Sequence, residues 1–161
     1  MPALEIKNVW GKVEGDLQRE ILGFWQQNNL LPTGVDPVER SRQAVLTVRS
    51  EGKIVGLTSA DLIQFRQLND NIFYMFRLAV LPAFRLPGIE SKLIVESQTI
   101  LEEFAKTQST NKAIGVLVFV ESPRLREMRN EAVWPASKMV YIGSDKQGRH
   151  IRVCYFKGAT I

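Results

Sequence analysis

The sequence predicts a mixed α+β domain built on one central sheet, and three observations carry that prediction. Two runs, 72–81 and 113–120, are apolar almost throughout, as strands covered on both faces must be. Between them Ile89, Leu93, Ser97, Ile100, Leu101 and Phe104 recur at steps of three and four, one face of an amphipathic helix. That crossover makes the strands at Tyr74 and Val116 parallel, while the tightly turned segments before them predict an antiparallel meander. About seven strands are expected in all, in the order β-α-α-β-β-β-α-β-α-β-β, as one domain over residues 1–161.

Taken in order, Leu4, Ile6 and the Val9-Trp10 pair predict the first strand, with Glu5 and Lys7 on its other face. A helix opens at Gly15-Asp16, with Asp16 as its expected cap and Leu17, Ile21, Phe24 and Trp25 on one face. Asp36-Pro37-Val38-Glu39 carries a sharper start signal. Asp36 caps, Pro37 suits the first helical position, and Glu39 stands at capping-box spacing. A short helix should follow and end near Gln43. Strands 44–49 and 53–65 then flank the turn Ser50-Glu51-Gly52, and Gly56 marks a bulge or a close backbone approach. Asn69-Asp70-Asn71 turns the chain into the apolar run that starts at Ile72. Beyond the polar loop 106–112 and the second apolar strand, Ser122-Pro123 starts a helix that cannot pass far beyond Val133, because Trp134-Pro135 stops it. Segments 139–142 and 151–156 flank Ser144-Asp145-Lys146-Gln147-Gly148 as a hairpin.

Bulk properties narrow the function. A chain of 161 residues, 45% apolar and 24% charged, has the make-up of a soluble globular domain. No apolar run reaches the roughly 20 residues that cross a bilayer, and the first residues do not read as a signal peptide. The lone Cys154 cannot form an internal disulfide, which predicts a reducing, cytoplasmic setting and a small core residue. With one cysteine and one histidine, His150, no metal site is expected; His150 reads as a solvated strand residue. The net charge of +4 lacks an aromatic-interleaved basic stripe, so nucleic acid is not the expected partner. Its one local cluster, Arg124, Arg126 and Arg129, reads as a solvated helix face, or else as a contact for a coenzyme phosphate or an acidic carrier protein.

The chemistry concentrates at 78–90. A strand feeding a glycine-bearing turn and a helix N-terminus suits an anionic ligand. Val80-Leu81-Pro82-Ala83-Phe84-Arg85-Leu86-Pro87-Gly88-Ile89, at this junction and in this order of elements, resembles the GNAT acyltransferase superfamily, whose motif has the form V-x-P-x-x-(R/Q)-x-x-G-x-(G/A). Val80, Pro82, Arg85, Gly88, Ile89 and Leu93 match it. The resemblance implies an acyl-CoA co-substrate, acetyl-CoA foremost, with the pantetheine arm along Leu78 and Val80. The pyrophosphate then lies in a cradle of Arg85, Leu86, Gly88, Ile89 and Glu90. It also implies direct attack of an amine on the thioester, with a small molecule or a protein as acceptor and a homodimer as one possible assembly.

Within the motif, Leu86 replaces a common glycine, Pro87 has no N–H to donate, and Glu90 stands where Gly or Ala is usual. Two unit charges about 6 Å apart at an effective dielectric near 20 repel by roughly 3 kcal/mol. An inward Glu90 would thus cost about a hundredfold in affinity; an outward one is a favourable first-turn acid. The tyrosine acid that the resemblance implies after Glu121 is missing, and Met128 lies near its place. Tyr141 is the substitute acid or a buried core tyrosine. Glu121, at the end of a parallel strand, is the candidate base or simply a helix-start acid. Arg77, a charge within an apolar strand beside Tyr74, faces a substrate groove or forms a structural ion pair with Glu121 or Asp61. Three functions remain open: an acyl-CoA-dependent N-acyltransferase, a GNAT-like binding or regulatory module without coenzyme, and an acyltransferase served by acyl-carrier protein.

Overall fold

In the computed structural model, which describes residues 3–161, the elements follow the predicted order. They are β1 (Leu4–Asn8), α1 (Gly15–Gln27), α2 (Pro37–Ser41), β2 (Ala44–Ser50), β3 (Lys53–Phe65), β4 (Asn71–Val80), α3 (Ile89–Lys106), β5 (Gly115–Val120), α4 (Pro123–Met128), β6 (Val140–Ser144) and β7 (His150–Tyr155). The fold is α+β with a seven-stranded mixed sheet in the order β1-β2-β3-β4-β5-β7-β6. Pairing is antiparallel for β1–β2, β2–β3, β5–β7 and β7–β6, and parallel for β4–β5, where Tyr74 faces Val116 and Met75 faces Leu117. The chain forms two compact units, one of residues up to Ala60 plus Arg77–Leu93, the other of Asp61–Phe76 plus Ile94–Ile161.

In the first unit, Ile21, Phe24 and Trp25 of α1 pack on Val9, Ala44 and Leu57, with Leu17, Ile54, Ala79 and Leu81 around them. The predicted helix face is therefore the buried one. Asp16 is not the cap: Glu14 occupies that position without a side-chain bond, and Asp16, within the first turn, pairs with Arg19. Asp36 does cap α2, its Oδ1 accepting from Val38 N at 3.0 Å and Glu39 N at 3.4 Å behind Pro37. The Glu39 carboxylate pairs with Arg42 at 3.1 Å, and α2 ends at Ser41 rather than near Gln43. Positive φ at Glu51 and Gly52 makes the β2–β3 turn the two-residue kind that matches strand twist. Gly56 fulfils both of its readings. The β2–β3 register shifts beside it, and a Cβ there would stand 3.2 Å from the Ala79 carbonyl oxygen.

In the second unit β5 is covered on both faces, which is why it reads as unbroken apolar sequence. Leu117 and Phe119 join Phe65, Phe73, Ile151 and Val153 on one side. Val118 and Val120 join Trp134, Met139, Ile94, Leu125 and Cys154 on the other. Along α3 the buried positions are Ile89, Leu93, Ser97, Leu101 and Ala105, a four-residue step. Phe104 lies off that stripe and is exposed. Ser122 caps α4 by accepting from Leu125 N at 3.2 Å, as its Ser-Pro start predicts. The helix stops at Met128, well before Trp134-Pro135, because the following segment closes on itself. Trp134 N donates to Met139 O, Lys138 N to Trp134 O, and Val133 bridges Val140.

Candidate active site

The strand-to-helix junction is built from consecutive tight turns. After β4, Leu81 N donates to Val55 O, and Pro82 to Phe84 form a single 3-10 turn closed by Phe84 N to Leu81 O at 2.9 Å. Arg85 has φ −79° and ψ 66°, an inverse γ-turn, and the Leu86 N–H duly donates to Phe84 O at 2.8 Å. Leu86-Pro87-Gly88-Ile89 is then a type II arrangement. Proline sits at its second position, Gly88 with φ +81° at its third, and Ile89 N donates to Leu86 O at 3.1 Å. The Arg85 side chain folds back, its Nε donating to Val80 O at 2.9 Å. Val80 and Ile89 are buried, Leu78, Leu86 and Glu90 half-buried, and Arg85 and Gly88 exposed.

This geometry bears directly on a diphosphate ligand. Of the expected cradle, Arg85, Leu86 and Ile89 already donate their N–H groups to carbonyls of the turn, and Pro87 has none. Such bonds contribute about 0.5–1.5 kcal/mol each, which an incoming anion must first offset. Those three N–H groups are thus not presented to an anion as they stand, whereas the Gly88 N–H takes no part in the turn's own bonds. The sequence exposed only the Pro87 part of this; the engagement of Arg85, Leu86 and Ile89 depends on φ and ψ.

A second group of polar side chains gathers where β5 ends and β6 and β7 turn. Arg149 joins two carboxylates, with Nη1 3.0 Å from Glu121 Oε1 and Nε 2.7 Å from Asp145 Oδ2, and lies 4.9 Å from the Phe119 ring centre. Burial pushes the Asp145 carboxyl up, but hydrogen bonds from Arg149 backbone and side chain and from Gln147 outweigh it and hold the group below its usual range. Arg126 Nη1 donates to Gly148 O at 2.5 Å, so the tip of the hairpin is tied to α4. The basic group of α4 is therefore only partly a solvated face; Arg129 stands 3.9 Å from Glu131 and 5.7 Å from the Trp134 ring centre.

Each candidate catalytic residue has a definite place. Glu121 is exposed and ion-paired with Arg149, a partner that sequence reading did not supply. Tyr141 is 42% exposed, which corrects the core-tyrosine reading: β6 is the last strand of the sheet, so its side chains lack a covering layer. Its hydroxyl is 3.4 Å from Ser144 Oγ, and its ring meets His150 edge-on at 5.0 Å. Arg77 is half-buried within β4. Tyr74, earlier on that strand, is buried, and burial pushes its phenol up to about 12. Glu121 and Tyr141 belong to the second compact unit, Arg77 and the 78–90 turn to the first.

Arg152 escaped sequence reading altogether. It is 1% exposed, lies 4.3 Å over the Trp134 ring, and donates to Ala132 O, Met139 O and Arg129 O at 3.3–3.5 Å. Its signal was an arginine in the alternating strand pattern HIRVCY, indistinguishable from an exposed one without the neighbouring loop.

Neither a family model nor a curated protein sequence matches the chain. Solved structures do. The chain is similar to a GNAT-family acetyltransferase from Streptococcus pneumoniae, at 15% identity and a TM-score of 0.59, covering 96% of this chain and 99% of that one. It is similar to a ribosomal-protein-S5-alanine acetyltransferase from Vibrio fischeri, at 10% identity and a TM-score of 0.62, covering 98% and 96%. It is also similar to AtaTR, solved bound with AcCoA, at 12% identity and a TM-score of 0.59, covering 96% and 94%. Likeness over nearly the full length at such low identity shows the fold. The chain has the GNAT fold. Among the described residues, no helix is long and apolar enough to cross a membrane.

Proposed function

We propose that this chain is an N-acyltransferase that moves an acyl group, acetyl foremost, from coenzyme A to a primary amine, and that residues 1–161 act as one catalytic domain. The observation that carries the reading is the junction of Val80, Pro82, Arg85, Gly88 and Ile89 between β4 and α3, in a sheet whose β4 and β5 run parallel. The GNAT-fold structure solved with AcCoA supports an acyl-CoA donor. In the reaction the amine nitrogen attacks the thioester carbonyl, the C–N bond forms, and the C–S bond breaks. Glu121 takes the proton released by the nitrogen, and Tyr141 protonates the departing thiolate. Arg77 orients the acceptor, which is a small molecule or a protein amine. Isothermal titration with acetyl-CoA and with free CoA tests the proposal: saturable heat is expected, and no heat at millimolar ligand would end it.

The N–H bonds closed within the 85–89 turn favour a second reading, a GNAT-fold binding or regulatory module that has lost its coenzyme. Saturable turnover by the wild-type protein with any primary amine would eliminate that alternative.

A further inference from the structure

Resting on the acyl-transfer reading and its base at Glu121, we propose that Arg149 is a positioning residue of the reaction. Clamped by Asp145, it fixes one oxygen of Glu121 and leaves the other to take the proton from the attacking amine. Glu121 alone is poorly suited to that task. Its side chain is 76% exposed, and a free glutamate at the surface spreads over many rotamers, few of which meet a bound amine. Strand register supplies the partner. β5 and β7 pair antiparallel with Val120 opposite His150, which brings Glu121 and Arg149 opposite each other just past the ladder, where unlike charges attract. Arg149 Nη1 stands 3.0 Å from Glu121 Oε1.

A cation that itself wandered would position nothing, and Arg149 is held from several sides. Its Nε donates to Asp145 Oδ2 at 2.7 Å, its backbone N–H donates to Asp145 Oδ1 at 2.9 Å, and its guanidinium carbon lies 4.9 Å from the Phe119 ring centre. Asp145 is fixed in turn, because the same Oδ1 accepts from Gln147 N at 2.9 Å. The hairpin tip is tied to α4 through Arg126 and Gly148 O, and Ser122, next to Glu121, caps that helix. Both ends of the Glu121–Arg149 pair are therefore anchored to one frame. An exposed ion pair contributes little by itself, but a planar fork shared between two carboxylates adds direction. With Oε1 engaged, Oε2 receives the amine proton as the C–N bond forms and the C–S bond breaks, while Tyr141 supplies the proton for the departing thiolate.

A double-mutant cycle of Glu121→Gln and Arg149→Met tests this, with release of the CoA thiol from acetyl-CoA followed in the presence of spermidine, lysine or glycinamide. Arg149→Met is expected to lower kcat by about three- to tenfold with KM for acetyl-CoA unchanged, and to cost less than about twofold in the Glu121→Gln background. Arg149→Lys keeps the stem and the charge but not the fork, so it should show the same loss, and it carries the comparison if Arg149→Met does not fold. A loss of equal size in both backgrounds overturns the inference, since a merely structural role would produce that. So does a wild-type kcat in either Arg149 variant or in Glu121→Gln, with acyl transfer still standing. If the wild-type protein releases no thiol with any of the three amines, the acyl-transfer reading falls, and the inference with it.

Discussion

Arg152 is a buried guanidinium whose partners are backbone carbonyls rather than carboxylates. Burial pulls its pKa down from the usual arginine range, and its Nε has no hydrogen-bond partner among the described residues. Whether it stabilises the fold depends on what its removal leaves behind. Each of its three carbonyls has a second donor: Tyr141 N on Ala132 O, Trp134 N on Met139 O, and Trp134 Nε1 on Arg129 O. No acceptor is orphaned if the charge goes, and its desolvation penalty is relieved. An Arg152→Met protein, similar in volume, should unfold in urea within about 1 kcal/mol of wild type. Arg152→Ala, which leaves a void beside Trp134, should lose about 2–4 kcal/mol. A loss above about 3 kcal/mol for Arg152→Met would mean that the charge itself holds the 129–140 loop.

At the scale of elements, the short helix α2 owes its start to one side chain. Five residues cannot hold a helix by propensity, and the Asp36 carboxylate satisfies two of its otherwise unbonded N–H groups. Asp36→Ala should lower stability by about 1 kcal/mol, with accelerated amide exchange at Val38 and Glu39; unchanged exchange there would show that the cap is dispensable. Start signals of this kind were legible because they are local. Asp36-Pro37 and Ser122-Pro123 each combine a side-chain acceptor with a residue that lacks an N–H where none is needed. Helix ends were less legible. The stop of α4 at Met128 and the slide of the α3 stripe to Ala105 follow from what each helix meets in space.

Across the whole molecule, one buried phenol sets an alkaline limit. Tyr74 is pushed up to about 12 by burial, from 10.0 in the open chain. Below the open-chain value both states are protonated, and the contribution of Tyr74 is fully present. Above it the unfolded chain gives up the proton while the folded one keeps it. Stability therefore falls as pH rises through 10 to about 12. The loss expected from this group is roughly 1–3 kcal/mol. Urea midpoints measured at about pH 9 and about pH 11 should differ less in Tyr74→Phe than in wild type. Equal differences in the two proteins would assign the alkaline loss to other groups.

The order of elements, the parallel crossover at Tyr74 and Val116, and the strand–turn–helix junction at Val80 to Ile89 are all legible along the chain. Hydrophobic period, cap chemistry and turn chemistry are written in neighbouring residues, so they can be read without coordinates. That Arg149 holds both Glu121 and Asp145, that Tyr141 lies exposed on the last strand, and that Arg152 is buried emerge only in the folded chain. Those facts join residues distant in the chain. The 85–89 turn stands between the two: Pro87 announces one missing donor, but three more N–H groups are taken by carbonyls whose positions depend on backbone angles that composition does not specify.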